Sequence, residues 1–299
     1  MNLALTYKLK GNDDGSYRTS KNKVFQGFVI LFALITISPI ILIIYTLVVK
    51  GIGQINLSFF TETAPNTFDA MIAVNNGEII PGGILNGIAG TIFMVVMASI
   101  IAIPLGILIG LFLYENPEKF YANIVRDIAD ILQGVPSIVL GLIAYIWIVK
   151  NVTSGYSALA GSVALAIMML PLILRSTEET LKMIPTSLKE AGAALGVPYH
   201  KIILRVLIPT GFSGLLTGIL LAISRVIGET APLMLTALGS SVVNFHLDKP
   251  TNAVPLLIWE FYNNPNMVNL IWSSSLFLMG FILTLNLISK RIASKRGAS

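Results

Sequence analysis

Arg225 and Glu229 are the only Lys, Arg, Asp or Glu residues between positions 206 and 247, a stretch otherwise made of apolar and small residues. Four residues apart on a helix, they share one face. A charge at the middle of a bilayer costs about 2.5–3.5 kcal/mol even on a lenient insertion scale. The pair is therefore expected to face the bundle interior, bound to each other or lining a watery path. The Arg fork suits the oxygens of a tetrahedral oxyanion. The alternative for the pair is a structural ion bridge that fixes helix rotation. Ser137, in Gln133-Gly-Val-Pro-Ser137, offers a hydroxyl to the same path. Pro136 disfavours helix at Val135, so a helix is expected to break or start late there, with Ser137 as a local cap in the alternative reading.

Other chemistries are excluded. The chain has no cysteine, hence no disulfide, thiolate ligand or thiol nucleophile. Its two histidines, His200 and His246, fall in different loops and form no metal cluster. No Gly-x-x-x-x-Gly-Lys-Ser/Thr run exists, so the chain holds no phosphate loop of its own. No catalytic residue, metal or cofactor is expected.

A third motif lies at 187–209. Ser187-x-x-Glu190 has the spacing of a capping box. Leu188, Ala191 and Leu195 then share a helical face. Gly196 suits a left-handed C-terminal cap, and Pro198 opens the next helix. A short helix with a narrow apolar face fits a groove on another protein. The plainer alternative is a solvated connector resting on its own bundle.

The elements that position these residues are membrane helices. Of 299 residues, 55% are hydrophobic and 12% charged, with mean hydropathy +0.80. Soluble domains carry about 25% charge. The uncharged run 24–49 is too long for a signal-peptide core and reads as a retained helix. Six spans are expected, near 25–49, 84–113, 128–149, 157–174, 211–238 and 267–289. With a cytoplasmic N-terminus, sixteen of the twenty Lys and Arg fall on the cytoplasmic side, and only Lys50, Lys150 and Lys249 on the far side. The positive-inside rule thus favours six helices with both termini cytoplasmic. Splitting the 206–247 region would send the basic C-terminus outside. The expected organisation is a cytoplasmic tail 1–23, a first span 24–50, an extracytoplasmic connection 51–82, a five-helix core 83–289 with a cytoplasmic loop 175–210, and a tail 290–299. The net charge of +5 is then a topology signal and not a nucleic-acid patch.

The loop motif resembles the EAA loop of ABC-importer permeases. Glu190, Ala191, Gly196 and Pro209 match it, while Gly192 replaces an alanine. Gly228-Glu-Thr-Ala-Pro-Leu233 preceded by Arg225, Leu132-Gln-Gly-Val-Pro-Ser-Ile-Val139 and Leu174-Arg-Ser-Thr-Glu-Glu179 are similar to the PstA-type permeases of bacterial phosphate importers, over residues 25–290. The resemblance implies an all-α membrane protein of the type I importer (MetI-like) fold in the bacterial inner membrane. It implies phosphate import by alternating access, with ATP hydrolysis left to other subunits. The implied partners are a PstC-type second permease, two PstB-type ATP-binding subunits, a PstS-type phosphate-binding protein and the lipid bilayer, with no nucleic acid. It assigns ATPase coupling to Glu190, Ala191, Leu195 and Gly196. The residues alone leave open a sulfate or molybdate permease, a secondary transporter using Glu229 for proton coupling, and a non-transporting scaffold.

Overall fold

The computed structural model describes residues 13–297, with side chains over 18–291. Lys8 and Lys10 of the expected tail, and the side chains of Lys295 and Arg296, lie outside it. The chain divides after Val49. Helix α1, Asp13–Gly51, supplies the first unit. Its apolar residues, among them Phe25, Phe28, Phe32 and Ile41, are spread round the helix, as a membrane span requires. Pro39 cannot donate to the carbonyl of Ile35, and the Ser38 hydroxyl donates to it instead at 3.1 Å.

The second unit begins at Lys50. Helices α2 (Leu57–Thr61) and α3 (Thr67–Asn76) are short, each started by an asparagine whose side chain accepts a backbone N–H. Then come α4 (Leu85–Glu115), α5 (Phe120–Gly134), α6 (Ser137–Val149) and α7 (Ala158–Lys182). They are followed by α8 (Thr186–Ala194), α9 (Tyr199–Thr210) and α10 (Phe212–Ile227). The chain ends with α11 (Ala231–Thr236), α12 (Val254–Tyr262) and α13 (Val268–Gly297). The core is the seam between α4 and α7. Met94, Ala98, Ala102 and Gly106 recur every four residues on α4 and are buried against the face of α7 that carries Leu165, Met169 and Ile173. Small side chains let two helices approach where lipid provides no hydrophobic drive between them.

Two expected spans are bent. The third, expected as one helix over 128–149, is α5 and α6 meeting at 107°. Pro136 holds Val135 extended, with φ −70° and ψ 133°, as a residue before proline requires. Arg126, Asp127 and Asp130 give α5 a charged face, while Ala122 and Ala129 are buried against Leu113 and Leu174. The fifth, expected over 211–238, is α10 only as far as Gly228, and α9, which falls in the expected loop 175–210, meets α10 at 71°. A separate α11 follows with a proline in its first turn. Four helices are long and apolar enough to cross a membrane, and six spans result if each bent pair counts as one.

Candidate functional site

Arg225 sits in the last turn of α10, and Glu229 follows the Gly228 break. Arg225 Nε lies 3.9 Å from Glu229 Oε1, and the two side chains are 41% and 19% exposed. That separation is an attraction rather than a charge-assisted hydrogen bond, which closes to about 2.7–2.9 Å. The expectation that both face the interior of the bundle is corrected for Arg225. Ala222, Ser224, Val226 and Ile227 fill the inner side of α10, which rotates Arg225 onto the outer surface of the chain. Lipid cannot cover that surface without a large penalty. Water or a second protein must. Beside it, Ser224 Oγ donates to Asn286 Oδ1 of α13 at 3.1 Å, adding polar groups to the same end of α10.

Ser137 is the first residue of α6. The cap position is Pro136, and no side chain caps the helix, so the local-cap reading of Ser137 is not realised. Helix α6 packs directly on α11: a Cβ on Gly141 would come within 2.6 Å of Pro232 Cα. The Gln133–Ser137 and Gly228–Leu233 segments, far apart in sequence, are thus joined at one seam. Among the described residues no hydrogen bond links Ser137 to Arg225 or Glu229.

The loop helix α8 starts one residue before the expected box. Ile184 is buried with Leu181, Ile202 and Leu207, which forces the chain to turn at Pro185; Pro185 becomes the cap and Thr186 the first helical residue. Ser187 therefore lies inside the helix, and the Ser187–Glu190 capping box does not form. The other end is as the sequence indicates. Gly196 has φ +68°, its N–H reaches Ala193 O at 2.9 Å, and Val197 N–H reaches Gly192 O at 3.1 Å. This is a complete Schellman termination. No residue of α8 is buried. Glu190 and Ala191 are exposed, and Leu188 and Leu195 expose 40% and 83% of their surface, with Met183 just before them.

One cluster escaped sequence reasoning. Glu178 is 1% exposed inside α7 and accepts from Arg126 at 2.9 Å and Lys182 at 2.7 Å, with Arg175 at 3.5 Å. Arg175 also grips Asp130 with both Nε and Nη2, at 3.2 and 2.5 Å. Arg126 further donates to the carbonyls of Leu113 and Pro117 and to Asn123 Oδ1. The cluster therefore binds α5 to α4 and α7. Its signal was present in the four-residue step Arg126–Asp130 and the steps of three and four from Arg175 to Glu178 to Lys182. A cavity of about 410 Å³ adjoins it, lined by the polar Asp130, Gln133, Arg175, Ser176 and Glu179 together with the apolar Leu172 and Leu221. On another side of the unit, Glu260 of α12 accepts from the Asn252 amide, 3.2 Å from each carboxylate oxygen. Burial raises its pKa above the ordinary carboxylate value, and the amide opposes this in part.

The sequence pattern of the family described as "Binding-protein-dependent transport system inner membrane component" matches residues 102–295. The phosphate transport system permease protein PstA of Yersinia pestis is 36% identical over 284 residues, 94% of this chain and 92% of that protein. Its counterpart in Haemophilus influenzae is 33% identical over 277 residues, 92% and 94% of the two chains. That of Mycobacterium leprae is 34% identical over 273 residues, 90% and 88%. Among solved structures, an inward-facing conformation of the MetNI methionine ABC transporter aligns over 70% of this chain and 94% of its own, with TM-score 0.59 and 22% identity. At that identity the likeness is one of fold alone.

Proposed function

The chain belongs to the family of binding-protein-dependent transport system inner membrane components, and from that membership we propose that it is the membrane-spanning permease subunit of an ABC importer for inorganic phosphate. The observation that carries the substrate is the likeness to PstA proteins over nine-tenths of the chain. It is a multi-pass inner-membrane protein and not the ATPase. Partner ATP-binding subunits and a binding protein complete the transporter; the specific reading is one PstC-type permease, two PstB-type subunits and a PstS-type protein.

The sides of the membrane follow the charge asymmetry: both termini and the 175–210 loop cytoplasmic, the 51–82 connection outside. In this reading α8 is the ATPase-docking element. Its outward Leu188, Ala191 and Leu195 enter a groove on the ATPase, Glu190 lies at the edge of that contact, and Gly196 fixes where the helix stops. Arg225, Glu229 and Ser137 border the substrate path at the contact with the second permease. Support comes from the open Arg225–Glu229 spacing and from an Arg face that lipid cannot cover. A path site is required to be weak, because cargo that binds tightly does not leave.

The test is reconstitution of the chain with its partners in proteoliposomes, measuring ATP-driven uptake of labelled phosphate against sulfate and molybdate. Phosphate uptake that depends on the binding protein is expected. An assembled complex that imports sulfate or molybdate but no phosphate would overturn the assignment. Reporter fusions after Asn75 and after Arg296 should report opposite sides.

A further inference from the structure

Helix α8 has no buried residue, and two of its contacts with the bundle bear on its movement. One is a bare backbone contact: a Cβ on Gly192 would lie 3.1 Å from Ile202 of α9. The other is a single side chain. Lys189 Nζ donates to Glu115 Oε2 at 3.0 Å and to Oε1 at 3.2 Å. The same ammonium lies 5.6 Å from the ring centre of Tyr114 and 5.0 Å from that of Tyr199. Tyr114 and Glu115 are the last two residues of α4, and Tyr199 is the first of α9. One cation thus stands where α8, α4 and α9 meet, with a carboxylate and two aromatic faces around it.

Lys189 lies about 100° round the helix from Leu188. Leu188 and Leu195 are exposed, whereas Lys189 and Gly192 are half-buried. The exposed leucines are free for a partner while Lys189 grips the end of α4, the helix whose small residues form the core seam with α7.

We propose that Lys189 is the positioning residue that transmits movement of α8 to α4, so that a displacement imposed on the docking helix reaches the core and not only the flexible entry to α9. The inference rests on the reading of α8 as the ATPase-docking element. The lysine holds its charge: burial works against it, and the Glu115 carboxylate together with the Tyr199 hydroxyl outweighs burial, raising the lysine's pKa. A lone ion pair would tolerate sliding. Rings at Tyr114 and Tyr199 narrow the positions the ammonium can occupy, which suits a joint that must push and pull.

The experiment measures phosphate imported per ATP hydrolysed, using the full complex in proteoliposomes. Lys189→Met is expected to lower this ratio about tenfold while hydrolysis continues, within the range seen for residues that couple distant sites. Lys189→Arg keeps the cation and the carboxylate contact and should restore most of the ratio. A Lys189→Met complex with the wild-type ratio overturns the proposal. If Lys189→Met does not assemble, Glu115→Gln removes the ion pair while keeping the lysine, and an unchanged ratio there overturns it equally. Leu195→Asp separates the premise from the inference. Retention of the ATPase by Leu195→Asp rejects α8 as the docking element; its loss, together with normal coupling in Lys189→Met, rejects the joint alone.

Discussion

Glu178 and Glu229 are carboxylates on elements of one bundle, and their surroundings are opposite. Glu178 is 1% exposed and has three cations within 3.5 Å, the nearest at 2.7 Å. Glu229 has one among the described residues, Arg225, at 3.9 Å, and that arginine is 41% exposed. A buried carboxylate with its oxygens occupied by fixed donors is a clamp: losing one partner strands the others in a poor dielectric. A loose pair at the surface of a subunit can exchange its partner for water, another chain or cargo at little expense. The first kind of site stabilises a conformation, and the second is free to act within one.

Removing the clamp should have the largest effect. Glu178→Leu strands chiefly Arg126, since Arg175 keeps Asp130 and Lys182 reaches water, and breaking a buried pair from one side destabilises by about 3–5 kcal/mol. The lower end is expected here, since Arg126 keeps the carbonyls of Leu113 and Pro117 and the Asn123 side chain. Thermal unfolding of the detergent-purified subunit measures it, and a wild-type midpoint would remove the clamp from the comparison. Arg225 comes next, and through transport rather than stability. Arg225→Leu should assemble normally and lose about 10- to 100-fold in phosphate uptake, the worth of a hydrogen bond to a charged group. The double variant Arg225→Leu with Glu229→Leu decides the role. A path role leaves it assembled and inactive; recovered uptake would make the pair a scaffold like the clamp. Asp130→Asn tests the clamp's exposed arm. Asp130 is 59% exposed, so its loss should change unfolding by less than about 1 kcal/mol despite the two-pronged grip of Arg175.

The bundle was legible because apolar length needs no tertiary knowledge: a run such as 79–114 can only be a span, and it is α4. The breaks at Pro136 and the stop at Gly196 were legible for a local reason, since proline and a left-handed glycine act on their own backbone. What depended on helix rotation was not. That Arg225 faces outward follows from Val226 and Ile227 filling the core, and a single sequence does not state which face its neighbours fill. The Ser187 box had correct spacing and still failed, because burial of Ile184 moved the helix start. Glu178 stood in a noticed motif, but its partner Arg126 is 52 residues away, on a helix that the pattern merged with the next span.

Glu260 provides the smallest effect and the sign test. It has an amide neighbour, Asn252, and no cation among the described residues, so it completes a series from three cations through one to none. Burial therefore outweighs the Asn252 amide, which opposes it in part, and raises its pKa. A carboxyl whose folded pKa lies above its unfolded value binds its proton more tightly in the folded state. Its stabilisation is fully present below the unfolded pKa and is lost as pH rises through the folded one. At neutral pH the ionised group is then mildly unfavourable to the fold. Glu260→Gln keeps an oxygen for the Asn252 amide and never ionises. It should raise the unfolding midpoint slightly at pH 7, with the gap closing as the pH falls into the carboxylate range. The effect is small because the side chain remains partly in water. Removing charge at Glu178 should lower stability at neutral pH, whereas removing it at Glu260 should raise it. The same sign at both positions would mean that the number of cations around a carboxylate does not govern its part in this fold.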